Sequence, residues 1–180
     1  RREAATGTLY FQAGFKNLGN EGPDKALTMA SKIKSPLMRT RLYGAIVSNL
    51  LSVKVVERAD ALREELLNWL GTSESNTETA WGVLEYLESF PNDNPERSFM
   101  ALDILVKILN SADLNPPDKP LPRKIYWYPE FYEFRKPLAP LARADFEKGL
   151  QTIQKLTNNE VAMLIQASFC GEYLKMRVKS

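Results

Sequence analysis

Apolar residues recur at intervals of three and four along most of the chain, the spacing that places them on one face of an α-helix. From Asp24 to Leu51 the series Leu27, Ala30, Ile33 and then Leu42, Ile46, Leu50 describes one buried face on each of two helices. Punctuation separates them: Gly22-Pro23-Asp24 offers a stop and a cap, and Ser35-Pro36 offers an N-cap followed by proline at the first helical position. So short a connector makes an antiparallel αα-hairpin. A preceding helix over about 3–18 would pack on it. Val55 to Leu70 follows, with Val56, Ala59, Leu62, Leu66 and Leu70 in one stripe and Gly71 as the expected C′ residue.

The same grammar continues. Ser75-Asn76-Thr77-Glu78 has the spacing of a capping box and opens a helix through Trp81, Leu84, Leu87 and Phe90, which Pro91 ends. Asn94-Pro95-Glu96 starts another, with Phe99, Leu102, Leu105, Val106 and Leu109 on its buried face. Thr157-Asn158-Asn159-Glu160 repeats the capping-box spacing ahead of Val161, Leu164, Ile165, Phe169 and Leu174.

An internal repeat follows from these positions. With Lys148-Gly149-Leu150 set under Lys25-Ala26-Leu27, Ile153 falls under Ala30, Leu156 under Ile33, Ile165 under Leu42, Phe169 under Ile46 and Leu174 under Leu51. The Trp81 to Leu109 pair follows the same plan with a longer link. Helical hairpins of this size cannot bury their faces singly, so stacking is the expected solution, with an ordinary helical bundle as the alternative. The expected fold is all-α: one domain over residues 1–180, with about seven to eight helices in stacked antiparallel αα-hairpins.

Residues about 113–143 break the pattern. Asn115 to Pro122 holds four prolines in eight residues, which favours extended backbone, and six of the chain's eighteen aromatics then fall in the nine residues from Tyr126 to Phe134. The expectation is one long loop. Its aromatics read either as a recognition surface or as a plug over the end of the helix stack. For a recognition surface the candidates are Tyr126, Trp127, Tyr128, Phe131 and Tyr132, with Arg123, Lys124 and Arg135 as rim charges.

The phrase Asp24-Lys25-Ala26-Leu27 to Ala30, with Ile33, Ser35-Pro36 and Arg39, resembles the helical-hairpin repeats of uncharacterised bacterial proteins in the HEAT/TPR-like α-solenoid group. Leu141 to Phe146, running on to Leu150 and Leu156, resembles the final hairpin of those proteins. Together these cover about a third of the chain. A strict tetratricopeptide would also show its Trp, Tyr and Pro at fixed places in a 34-residue period, and they are missing. The resemblance implies a protein-interaction scaffold.

Composition changes this picture mainly by exclusion. The 180 residues contain no histidine and one cysteine, Cys170, which rules out Ser/His and Cys/His catalytic pairs, an intramolecular disulfide and the usual zinc or haem ligand sets. No cofactor is expected. Cys170 reads as an inert thiol packed beside Phe169 and Leu174. Carboxylates are the remaining catalytic groups. Glu57, Asp60, Glu64 and Glu65 share one helix, where they read as surface charge beside Arg58 and Arg63, and Glu130 and Glu133 flank the aromatics, where a sugar could stack between two acids. Asn92-Asp93-Asn94 lacks the glycine and terminal glutamate of a calcium loop and reads as a capped turn.

The formal charge is +2, distributed as +5 over residues 1–53, −7 over 54–122 and +4 over 123–180. Lys32, Lys34, Arg39 and Arg41, or Lys175, Arg177 and Lys179, could face a polyanion, but an acidic middle makes a poor footprint for nucleic acid. No run of apolar residues is long enough to span a bilayer. The chain opens on Arg, as a fragment or processed form of a longer protein would.

The reading is a non-catalytic scaffold or adaptor for a protein or peptide, with no small-molecule ligand expected. The rivals are a structural segment of a longer repeat protein and a carboxylate-based hydrolase using Glu130 and Glu133.

Overall fold

The computed structural model describes residues 23–111 and 131–179. Among these residues it is all-helical, with eight helices and no strand: α1 (Pro23–Ala30), α2 (Pro36–Ser52), α3 (Val56–Thr72), α4 (Thr77–Ser89), α5 (Pro95–Ser111), α6 (Phe131–Ala144), α7 (Phe146–Ile153) and α8 (Asn159–Lys179). The expected helix over about 3–18 lies outside the described residues.

The helices pack in two rows. In one, α2 lies on α4, α4 on α6 and α6 on α8; in the other, α3 lies on α5 and α5 on α7. Each helix also packs on its sequence neighbour across the rows. An ion pair from Arg58 to Asp24 ties α1 to α3 and so to the odd-numbered row. The buried faces meet along the middle as one continuous apolar core, with Leu42, Ile46, Leu66, Leu70, Leu102, Leu105, Leu138, Ile165 and Phe169 among its members.

Most helix ends follow the chemistry read from the sequence. Ser35 Oγ accepts from the Met38 N–H ahead of Pro36, and Asn94 Oδ1 accepts from the Glu96 N–H ahead of α5. Two caps shift by one residue. Asn76, not Ser75, caps α4, accepting from the Thr79 N–H at 2.9 Å, and Asn158, not Thr157, caps α8 through the Glu160 and Val161 N–H groups. Glu78 is thereby released from the expected capping box and accepts from the Ser35 hydroxyl, linking two helix starts. Gly71 is not a C′ residue, because α3 runs on to Thr72; an added Cβ there would meet Ile104 of α5 at 3.1 Å, so the glycine serves close helix approach. Asp24 lies inside α1, which begins at Pro23.

Three apolar expectations are corrected. Val56, in the first turn of α3, and Leu174, on the side of α8 turned away from Val161, Ile165 and Phe169, are exposed. Cys170 is only half-buried. The loop expected over 113–143 is also corrected in its second part, because residues 131–144 form α6 despite Pro137 and Pro140, while residues 113–130 lie outside the described residues. An interior proline costs a helix about 3 kcal/mol. Phe134, Leu138 and Leu141, spaced four and three apart, are fully buried and offset it at about 1.5–3 kcal/mol each.

The two segments aligned by sequence have matching geometry. α1 and α7 are each eight residues long. The turn after α1 carries Ser31 N–H to Leu27 C=O at 2.9 Å, Lys32 to Met29 at 3.2 Å and Ile33 to Ala30 at 3.1 Å; the turn after α7 carries Gln154 to Leu150 at 2.9 Å, Lys155 to Thr152 at 3.2 Å and Leu156 to Ile153 at 3.1 Å. Ala26 and Gly149, Ala30 and Ile153, Leu42 and Ile165, Ile46 and Phe169 are all buried, while Leu51 and Leu174 are both exposed. The α4/α5 hairpin differs: it runs from the even row to the odd, whereas α1/α2 and α7/α8 run from odd to even.

Candidate functional site

Two places concentrate polar chemistry. The first is a buried ionic knot where α3 meets the α4–α5 turn. Pro91 ends α4 and Asn94 caps α5, so Asp93 is held in the intervening turn with its side chain fully out of solvent. Its carboxylate accepts from Arg97 Nη2 at 2.6 Å and Nε at 3.1 Å, from Tyr86 Oη at 2.8 Å, from the Asn94 N–H at 2.8 Å and, at a longer 3.4 Å, from Arg63 Nη1. Asp60 then bridges the two guanidiniums, accepting from Arg63 at 2.9 Å and Arg97 at 3.0 Å. Arg63 also lies over the Phe90 ring, 5.4 Å from its centroid.

Two carboxylates and two guanidiniums leave the knot formally neutral, which is what a low-dielectric site requires of buried charge. Burial, reinforced by the facing Asp93 carboxylate, pushes the Tyr86 phenol far above its ordinary 10.0. The hydrogen bonds to Asp93 raise Arg97. With both acids engaged by cations, the knot is built to hold helices together. Arg63, 12% exposed, is not the surface charge expected of it, whereas Asp60 bridges both arginines with its side chain still 42% open to solvent, and Asp93 is more than a turn residue. A smaller relative lies on α2 and α3, where Tyr43 Oη donates to Glu65 at 2.7 Å and Arg39 stacks 4.1 Å above Trp69. Burial, then the Glu65 hydrogen bond, raises the Tyr43 phenol.

The second place is an open groove of about 650 Å³ among the C-terminal end of α4, α6 and α8. Arg135, Lys136 and Arg143 reach it from α6 and Lys175 from α8, against two carboxylates, Glu88 and Glu172. Lys136 pairs with Glu88 at 3.5 Å and Lys175 with Glu172 at 2.6 Å. Pro140 lines the groove and has no N–H to donate to the Lys136 carbonyl one turn back. The lining thus combines a cationic excess with proline and alanine surface.

Of the residues singled out by sequence, Arg135 lines this groove and is half-buried. Phe131 and Tyr132 lie in the first turn of α6, with side chains outside the described residues. Arg123, Lys124, Tyr126, Trp127, Tyr128 and Glu130 lie outside them as well, as does the Glu133 side chain. The two basic clusters are at opposite ends of the rows: Arg41 is paired with Glu85 at 3.0 Å, and Arg177 lies against the Tyr173 hydroxyl. Among the described residues no cluster of three potential metal ligands occurs, and no helix is long and apolar enough to cross a membrane.

No family model, no curated protein and no solved structure matches this chain.

Proposed function

We propose that the protein is a non-catalytic scaffold of α-solenoid type that binds an acidic segment of a partner protein along the groove of α4, α6 and α8. The observation that carries this reading is the lining of that groove, four cations against two carboxylates around an open apolar floor. Opposite charge brings such a segment in and orients it, while apolar contact against Pro91, Ala139 and Pro140 holds it. The matched geometry of α1/α2 and α7/α8 supports the repeat reading on which a scaffold role rests.

The experiment is fluorescence anisotropy with labelled acidic, neutral and basic peptides of equal length. The acidic peptide binds, binding weakens as salt rises, and the double variant Lys136→Glu/Arg143→Glu weakens it by about tenfold or more. Lys107→Glu, on the exposed face of α5, leaves it within about twofold. Binding of all three peptides alike, or of none, contradicts the proposal.

A further inference from the structure

Helix α8 is apolar on two opposite sides. Val161, Ile165 and Phe169 point into the core. At 100° per residue, Met163, Ala167, Cys170, Gly171, Leu174 and Val178 fall together in an arc about 100° wide on the other side. That stripe is open to solvent: Met163 is 66%, Leu174 61% and Val178 86% exposed, and a Cβ added at Gly171 would meet nothing within 4 Å. A helix apolar on both sides belongs between two partners.

The matched helix α2 indicates what kind of partner. Met163, Ala167 and Cys170 correspond to Thr40, Gly44 and Val47, displaced by the same interval as the rest of the repeat. Thr40 and Val47 are buried, and an added Cβ at Gly44 would meet Ser89 of α4 at 3.2 Å. On α2 this half of the face is covered, whereas Ser48 and Leu51, which correspond to Gly171 and Leu174, are exposed there. On α8 Met163 and Ala167 are exposed as well.

We infer that this face of α8 is a homodimer interface, occupied by α8 of a second copy running antiparallel about a two-fold axis between Cys170 and Gly171. The stripe is self-complementary about that point. A two-fold sets Met163 level with Val178 and Ala167 with Leu174, the second pair a small residue against a large one, while Gly171 lets the two backbones approach at the centre. Charge selects the direction. Glu160 is exposed at one end of the helix and Arg177 at the other, so an antiparallel pair brings opposite charges to the same end, and a parallel pair brings like charges together. This inference stands independently of the peptide groove.

Sedimentation velocity of the full chain over a dilution series tests it, alongside cross-linking of the sole cysteine with a short bis-maleimide. The wild type sediments as a dimer and gives a covalent dimer through Cys170. Leu174→Glu and Met163→Glu, both at exposed positions that the monomer fold tolerates, each raise the dissociation constant at least about tenfold and abolish the cross-link. A wild type that is monomeric throughout, a dimer indifferent to both substitutions, or a dimer that Cys170 does not cross-link overturns the inference.

Discussion

Asp93→Asn isolates the ionic knot with almost no change of shape. The amide keeps one oxygen to accept from Tyr86 or Arg97, but it removes the charge that the two guanidiniums face and puts a donor where an acceptor stood. Arg63 and Arg97 side chains are 12% and 18% exposed and the Asp93 side chain is wholly buried, so solvent does little to screen the loss. Breaking a buried pair by removing one partner costs about 3–5 kcal/mol. Asp60 remains beside both arginines and holds part of their charge, which places the expected cost near 3 kcal/mol. Urea denaturation, followed by helical circular dichroism and by tryptophan fluorescence, reads the change as a lower midpoint with an unaltered slope. The companion variant Asp93→Asn/Arg97→Met removes a charge from each side, and it recovers part of the loss because less cation is left uncompensated. A single-variant cost below about 1 kcal/mol, the range of exposed ion pairs, would show that water reaches the knot and would refute the reasoning.

Two further predictions follow from the same helix contacts. Tyr86 is held protonated by burial and by Asp93, so its folded pKa lies above the unfolded value of 10.0; its contribution is complete below pH 10.0 and is lost as pH rises from there towards the folded value. Native tyrosine absorbance titration therefore finds a phenol still neutral where exposed tyrosines have ionised, Tyr86→Phe removes it and flattens the alkaline fall in stability, and an unchanged titration in that variant defeats the assignment. Gly149→Ala places a Cβ 2.3 Å from Cζ of Phe169, whose ring stacks 5.3 Å from Phe146, so the crossing of α7 and α8 must spread. Helix propensity alone would stabilise that variant by about 1 kcal/mol, whereas overpacking costs about 1–3 kcal/mol, and a melting temperature that rises rather than falls counts against the close crossing.

What the sequence makes legible is whatever acts between neighbours in the chain. The buried stripes of α2 and α5 and the caps at Ser35 and Asn94 each need only a few consecutive residues, and each is readable from spacing. The errors arise where a distant element decides. Gly71 carries the local signature of a helix end, yet Ile104 of α5 gives the glycine another purpose and α3 runs past it. Pro137 and Pro140 argue against a helix, and they are outweighed by Phe134, Leu138 and Leu141, whose burial depends on α4 and α8 lying across them. Their spacing was the available signal, obscured by the aromatic run just before it.

The ionic knot is the clearest case of a site hidden by separation. Asp60 and Arg97 are 37 positions apart, and Arg63 and Asp93 are 30 apart. On its own helix, Asp60 to Arg63 is an ordinary exposed pair worth a few tenths of a kcal/mol, and Asp93 between two asparagines is an ordinary turn. Only the packing of α3 on α5 closes the two halves and shuts Asp93 away from water, and that shielding is what turns surface charge into a structural tie. One local sign was present: Tyr86, Phe90, Asp93 and Arg97 recur at three and four across a proline-broken helix boundary, as if one face continued through the break. That face does continue, with Tyr86 and Phe90 edge to face at 4.9 Å and Asp93 directly beyond them, so periodicity that survives a helix terminator picks out the one side chain of the turn that is buried with the helices while Pro91, Asn92 and Asn94 stay exposed.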